Sequence, residues 1–276
     1  MTNSVVRLGS WMAVGLLMAG CNASTDTDPD DDDAPTHPAG TAISSVAVTA
    51  RPFGIAISDN GVLLTSRLDA GQVSRLRLTP DAVEGTVDVG LLPTDVTFGP
   101  DGAVAYVSNQ ASNTVGVVNV AAAVQAVAVP VRGNPFRVIV SPNGTRVYAT
   151  TNTSWLFVID AAQRTVIDSI VVPTDANGIA LSPNGSLAYL SSPTTGALVT
   201  VDLATRQVTR TVQIGGGLQE VVISPSGDEL YLARLDGPVE VRRTSDLGLI
   251  ATVAGTNGGF GMALSPDGVQ LYVTLT

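Results

Sequence analysis

The chain has almost nothing with which to perform acid–base or metal chemistry. One cysteine (Cys21) and one histidine (His37) occur in 276 residues, and both lie in the first forty. A lone cysteine forms no disulfide within the chain. Beyond His37 there is no imidazole to serve as metal ligand or general base. Lysine is absent, so all 14 basic residues are arginines, set against 24 acids. Such a balance offers no general attraction for nucleic acid. No Gly-x-Ser-x-Gly elbow, zinc-ligand spacing or Walker loop is present. The runs Gly215-Gly216-Gly217 and Gly258-Gly259 read as connecting loops rather than phosphate cradles. Aromatic residues make up only 4% of the chain, and their placement carries the information.

All five tyrosines share one phase: Tyr106, Tyr148, Tyr189, Tyr231 and Tyr272 are 42, 41, 42 and 41 residues apart. Each follows a turn of the Pro-Asp-Gly, Pro-Asn-Gly or Pro-Ser-Gly kind, whose glycines are Gly102, Gly144, Gly185, Gly227 and Gly268, with Gly61 adding a sixth. Before each turn stands a mostly apolar run, such as Gly-Ile-Ala-Leu-Ser (178–182), as expected of a strand buried on both faces. Two further strand-like segments follow each tyrosine in most units, for example 156–160 and 166–172. A period of about 40 residues with four short strands predicts an all-β fold, a β-propeller of four-stranded antiparallel blades, over residues 41–276. Six units are visible and the sixth stops after its second strand. Residues 43–49 are expected to help complete that last blade by bringing the two ends together.

The first forty residues read as an address. Residues 1–20 form an export leader, with Arg7 at its positive end and a short apolar stretch from Leu8 to Ala19, too short for a span. Met18-Ala19-Gly20-Cys21 resembles the bacterial lipobox, in which the cysteine is lipidated. Two acyl chains on Cys21 would anchor the protein stably in a membrane. Residues 21–40 hold six aspartates (Asp26, Asp28, Asp30 to Asp33), three prolines and no large apolar residue, the composition of a solvated tether. It would reach about 25 Å as a flexible coil. Without those six acids and Arg7, the remaining residues carry 18 acids against 13 arginines.

Tyr106-Val107-Ser108-Asn109, followed by Asn113 to Asn119, is similar to the repeat of the YVTN-type β-propeller family, echoed by Tyr148-Ala149-Thr150-Thr151 and Tyr272-Val273-Thr274. The resemblance covers residues 43–276 and rests on scaffold positions. It implies an exported or surface-associated protein, and usually seven blades, so that about one and a half blades would lie beyond Thr276.

The tyrosines themselves are expected to pack between blades. The candidate site lies seven residues before each turn glycine, at Gly54, Asp95, Arg137, Gly178, Glu220 and Gly261. In a propeller these positions stand near one mouth of the central channel. Asp95, Arg137 and Glu220 would bring charge there, with Arg51, Asp175, Asn177, Gln219 and Asn257 on adjoining loops, and the three glycines would leave room for a ligand. Trp155, at the start of a third strand, is a further contact candidate.

These features favour a monomeric, membrane-tethered propeller of the cell envelope, displayed in the periplasm or at the cell surface. Its expected role is binding or scaffolding of an unknown protein or small molecule, without a cofactor and without nucleic acid. Asn22 after Cys21 leaves outer-membrane or surface display open. The alternative is a lactonase-like hydrolase that holds a divalent metal between Asp95 and Glu220, since activating water requires a metal cage or carboxylates.

Overall fold

The computed structural model describes Val5–Arg7, Val14–Leu16, residues 44–78 and residues 81–276. Within them, successive antiparallel sheets follow one another in chain order. Blade 1 comprises Pro52–Ile57, Leu63–Arg67, Gln72–Leu78 and Asp81–Asp88. Blade 2 comprises Pro93–Phe98, Val104–Asn109, Thr114–Asn119 and Val124–Pro130. Blade 3 comprises Pro135–Val140, Arg146–Thr151, Trp155–Asp160 and Thr165–Val171. Blade 4 comprises Gly178–Leu181, Leu187–Ser191, Ala197–Asp202 and Gln207–Gln213. Blade 5 comprises Leu218–Ile223, Glu229–Arg234, Val239–Arg243 and Leu249–Val253. Blade 6 has Gly259–Leu264 and Leu271–Leu275. The first strand of each blade packs against the first strand of the next, so these strands surround a common axis.

The core lies between blades, because each sheet is apolar on both faces and has only its neighbours to bury them against. Leu64, Val73 and Val87 of blade 1 meet Val96, Ala105 and Val107 of blade 2. Leu156, Val158 and Ile170 of blade 3 meet Ile179, Leu190 and Val199 of blade 4. The tyrosines sit in these seams as expected: Tyr106, Tyr148 and Tyr189 are buried, each against the following blade.

In five of the six blades the turn after the inner strand is sewn by its serine; blade 2 has Gly99 there. Ser141 Oγ accepts from the backbone N of Arg146 at 2.9 Å, and Ser182 does the same for Leu187. The glycine closing the turn has φ near +70°, as at Gly144 and Gly185, a conformation that a side chain resists. The same glycines admit the preceding blade. A Cβ on Gly144 would stand 2.7 Å from Cγ of Pro100, and one on Gly227 or Gly268 would stand 2.9 or 2.8 Å from Cδ of Pro183 or Pro225. Pro100, Pro142, Pro183 and Pro225 thus each seat on the turn glycine of the next blade.

The closure differs from expectation. Of residues 43–49, those described do not complete blade 6. Ser44–Val46 pairs with Val14–Leu16 and lies near Asp81–Asp88 of blade 1. Val46 and Val48 cover Leu63 and Leu76 of that blade. Burial explains the choice: those two leucines would otherwise face water. The third strand on blade 6 is Val5–Arg7, which pairs with Leu271–Leu275 in parallel, whereas blades 1 to 5 add their third strands antiparallel.

Candidate functional site at the channel mouth

A register shift marks the start of five inner strands, at Pro52/Ile55, Pro93/Asp95, Pro135/Val138, Leu218/Glu220 and Gly259/Met262. A bulge at such a point re-aims the side chain it carries. Five of the six sequence-predicted ring residues fall there, Gly178 being the exception, and three of the ring residues meet. The Arg137 guanidinium lies between Asp95 and Glu220. Its Nη1 donates to Asp95 Oδ1 at 3.1 Å and its Nη2 to Glu220 Oε2. Asp95 Oδ2 also accepts from the backbone N of Val138 at 3.0 Å, tying blade 2 to blade 3 a second time. Both carboxylates are buried. The triad therefore links blades 2, 3 and 5 across the axis.

One guanidinium faces two carboxylates, so a fully ionised triad carries one negative charge in a buried place. Burial raises the Asp95 carboxyl above its ordinary value, against the pull of Arg137 and the Val138 N–H. Burial also pushes Glu220 up to about 7, with Arg137 opposing and Asp95 reinforcing. For Arg137 burial acts downward, but the two carboxylates outweigh it and hold the guanidinium above its ordinary value. The arrangement can bind and release a proton near neutrality. Asp95 and Glu220, the pair considered for a metal, are bridged by Arg137. Among the described residues no group of three or more His, Cys, Asp or Glu side chains is placed to hold a metal ion.

The ring glycines serve the scaffold. A Cβ on Gly54 would stand 2.7 Å from Cα of Asp95, and one on Gly178 would stand 3.0 Å from Cα of Glu220. Gly54 and Gly178 admit the neighbouring backbone, which corrects the expectation that they make space for a ligand, while a Cβ on Gly261 would meet only Thr274 Oγ1 of its own blade at 3.1 Å. The loop candidates are dispersed. Arg51 forms a two-pronged, exposed pair with Asp69 at 2.8 and 2.7 Å. Asp175 accepts from the hydroxyls of Thr174, Ser192 and Thr194 at 2.7–2.8 Å. Asn177 is held through its backbone, whose N donates to Ser191 O at 2.9 Å. Gln219 is buried and Asn257 is exposed. Trp155 carries Arg132 over its ring at 5.4 Å from the centroid. Cys21 and His37 lie outside the described residues.

Sequence reasoning missed three aromatic residues here. Phe53 meets Phe136 edge-on at 6.0 Å and Phe260 at 5.6 Å between ring centroids. These come from blades 1, 3 and 6 and gather over the axis beside the triad. The signal was available: all three occupy the position just before the ring, eight residues ahead of the turn glycine.

Compared with known protein families, the chain matches none. It is 35% identical over 120 residues to the seven-bladed beta-propeller protein Rv1057 of Mycobacterium tuberculosis. That stretch is 41% of this chain and 30% of the relative, so the chain spans under a third of the relative's length. Among solved structures, Kuenenia stuttgartiensis hydrazine synthase superposes with a TM-score of 0.68 at 23% identity, over 85% of this chain and 76% of that one. The fold is a β-propeller. At that identity the second likeness speaks for the fold alone. In the propeller Asp95, Arg137 and Glu220 pair with one another where the ligand mouth was expected.

Proposed function

We propose that this protein is a membrane-tethered propeller of the bacterial cell envelope that binds or scaffolds without catalysing a reaction. The observation that carries the reading is the pairing of Asp95, Arg137 and Glu220 with one another. The charges best placed to act on a substrate instead hold blades together, while Asp175, Asn177 and Asn257 stand on loops open to a partner. The lipobox-like Met18-Ala19-Gly20-Cys21 supports the tether. Processing at Cys21 would remove Val5–Arg7 and Val14–Leu16, and with them the parallel strand on Leu271–Leu275. Growth with a labelled fatty acid tests the anchor: label is expected in the intact chain and absent from Cys21→Ala. Equal labelling of both would end this reading.

A metal-dependent, lactonase-like hydrolase is the second reading. It is favoured by the meeting of two carboxylates at one point, with Glu220 pushed up to about 7. Metal analysis and lactone hydrolysis by the purified protein decide between the two. Stoichiometric divalent metal and turnover, both lost in Asp95→Ala, would establish the enzyme.

A further inference from the structure

At the other end of the inner strands from the triad, a cleft of about 390 Å³ opens between the first turns of blades 3 and 4. We propose that it binds a small organic carboxylate, held by Asn143, Arg146, Tyr148 and Asn184, with the apolar body of the ligand between Pro142 and Pro183. The volume falls within the range of about 300–1,000 Å³ that small-molecule sites occupy. The cleft is separate from the loops of Asp175, Asn177 and Asn257, so its failure would leave the tethered role proposed above untouched.

Tyr148 is the floor. Its ring packs with Leu156 and Val158 of its own blade and Ile179 and Leu181 of blade 4, and only 6% of the residue is exposed. What stays open lines the cleft. Tyr231 and Tyr272 satisfy their hydroxyls within the chain, by donating to Glu229 and Gln270 two residues earlier on the strand. At that position blade 3 has Arg146, itself a donor, and the Tyr148 hydroxyl has no hydrogen-bond partner among the described residues. A buried tyrosine hydroxyl ordinarily finds a partner, and here it must come from the cleft.

The walls present donors as well. Asn143 Oδ1 accepts from Ser141 Oγ at 2.8 Å, from the backbone N of Thr145 at 3.1 Å and from Thr145 Oγ1 at 2.8 Å. Asn184 Oδ1 accepts likewise from Ser182 Oγ, the backbone N of Ser186 and Ser186 Oγ, at 2.7–3.0 Å. A backbone N–H can only donate, so in both residues the oxygen faces the turn and the Nδ2 donors face away from it. Arg146 spends Nη1 on Thr145 O and on Asp160, at 2.9 and 2.7 Å, leaving Nε and Nη2 without a partner among the described residues. The lining residues include no carboxylate. A set of N–H and O–H groups converging from two walls and a floor matches a carboxylate, whose oxygens only accept.

The other seams differ at these positions. Between blades 2 and 3 the turns carry Asp101 and Asn143, with Val104 in place of Arg146. Between blades 4 and 5 they carry Asn184 and Ser226, with Leu187, and between blades 5 and 6 Ser226 and Asp267, with Glu229. Two amides and a cation coincide between blades 3 and 4. The phenols register the contrast. Burial raises both, but Tyr106 feels Asp101 and Asp160 besides Arg164, whereas the charge felt by Tyr148 is Arg146, which opposes the rise.

The test titrates the isotope-labelled full chain, followed by NMR, with sodium benzoate and with benzamide, a neutral molecule of the same shape. Benzoate is expected to shift the side-chain amide signals of Asn143 and Asn184 saturably, and benzamide to bind about tenfold more weakly or less. Arg146→Gln and Asn143→Asp should each weaken benzoate by about tenfold or more. Aspartate already stands at the Asn143 position in blades 2 and 6, where Asp101 and Asp267 accept the same turn N–H at 3.0 Å, so Asn143→Asp keeps the turn and adds a like charge. Tyr148→Phe should weaken benzoate by about threefold at an unchanged melting temperature. Equal affinity for benzoate and benzamide would overturn the proposal, as would shifts that never saturate or that fall outside the two turns. So would full affinity in Asn143→Asp, or a lowered melting temperature in Tyr148→Phe, since the hydroxyl would then be spent inside the chain. If Arg146→Gln failed to fold, the benzamide comparison and Asn143→Asp would still decide.

Discussion

Arg137 on blade 3 donates to Glu220 on blade 5, across a blade and 83 residues of chain. Side chains of neighbouring blades meet throughout a propeller, but this pair passes over the intervening blade 4 and reaches across the axis. With Asp95 it makes the channel mouth a buried ionic tie. Such a cluster holds its partners in one geometry, and removing one member leaves buried charge without compensation.

Arg137→Met should therefore destabilise the fold by about 3–5 kcal/mol at pH 8. Both carboxylates would remain buried without their cation, and at pH 8 must either stay ionised there or take up protons against the solution. At pH 5 they can take up protons and the cost should shrink. Urea denaturation at the two pH values measures the difference, and an equal loss at both would contradict the tie.

Stability should fall as pH rises through neutrality. The Glu220 carboxyl is held at about 7 in the folded chain, above the ordinary glutamate value of 4.5, so the folded state binds the proton more tightly. The stabilisation is complete below about pH 4.5 and is lost as pH rises through about 7, on the order of 3 kcal/mol in all. The raised Asp95 carboxyl acts in the same direction. Asp160 and Asp202, held low chiefly by backbone N–H donors, and Asp246 and Asp267, held low chiefly by Arg243 and Ser265, act oppositely, but only below about pH 4. Glu220→Gln should flatten the decline between pH 5 and 8. Thermal melts across that range would refute the assignment if the variant kept the wild-type slope.

Tyr148 and Tyr272 occupy the same place in their repeats, yet Tyr148 is buried against blade 4 and Tyr272 is only half-buried. Tyr148→Ala should cost roughly 3–5 kcal/mol, as for other buried aromatics. Tyr272→Ala should cost distinctly less. Equal losses in chemical denaturation would mean that the two environments are alike.

Gly144 and Gly61 separate backbone strain from blade packing. Both have positive φ, so alanine strains either turn by about 1 kcal/mol. At Gly144 the new Cβ also meets Pro100, while at Gly61 it meets open space. Gly144→Ala should be the more destabilising of the two. The reverse order in melting temperature would show that the proline seat contributes nothing.

Much of the fold was legible because its signals are local. The 41–42-residue step of the tyrosines, the turn glycines with their serines in five of six units, and the apolar inner runs all report on short segments, and the inner and tyrosine-bearing strands formed where those signals placed them. The site was half legible. The positions of Asp95, Arg137 and Glu220 at one mouth followed from the repeat, but Arg51 and Asp175 were grouped with them and proved to be satisfied by partners on adjacent loops, Asp69 for the one and Ser192 and Thr194 for the other. The aromatic group of Phe53, Phe136 and Phe260 went unread because its members stand two and three repeats apart.

By itself, then, the sequence determined the unit: strand order within a sheet, the turn that joins the first two strands, and the tyrosine between blades. Only the tertiary structure decided what the channel residues do. Bulges turned them inward, and curvature brought Arg137 to Glu220, a meeting that no short-range pattern encodes because it depends on how far each blade rotates about the axis. The ends were decided in the same way, since whichever strand covers Leu63 and Leu76 is chosen by the apolar surface left bare once the blades have stacked.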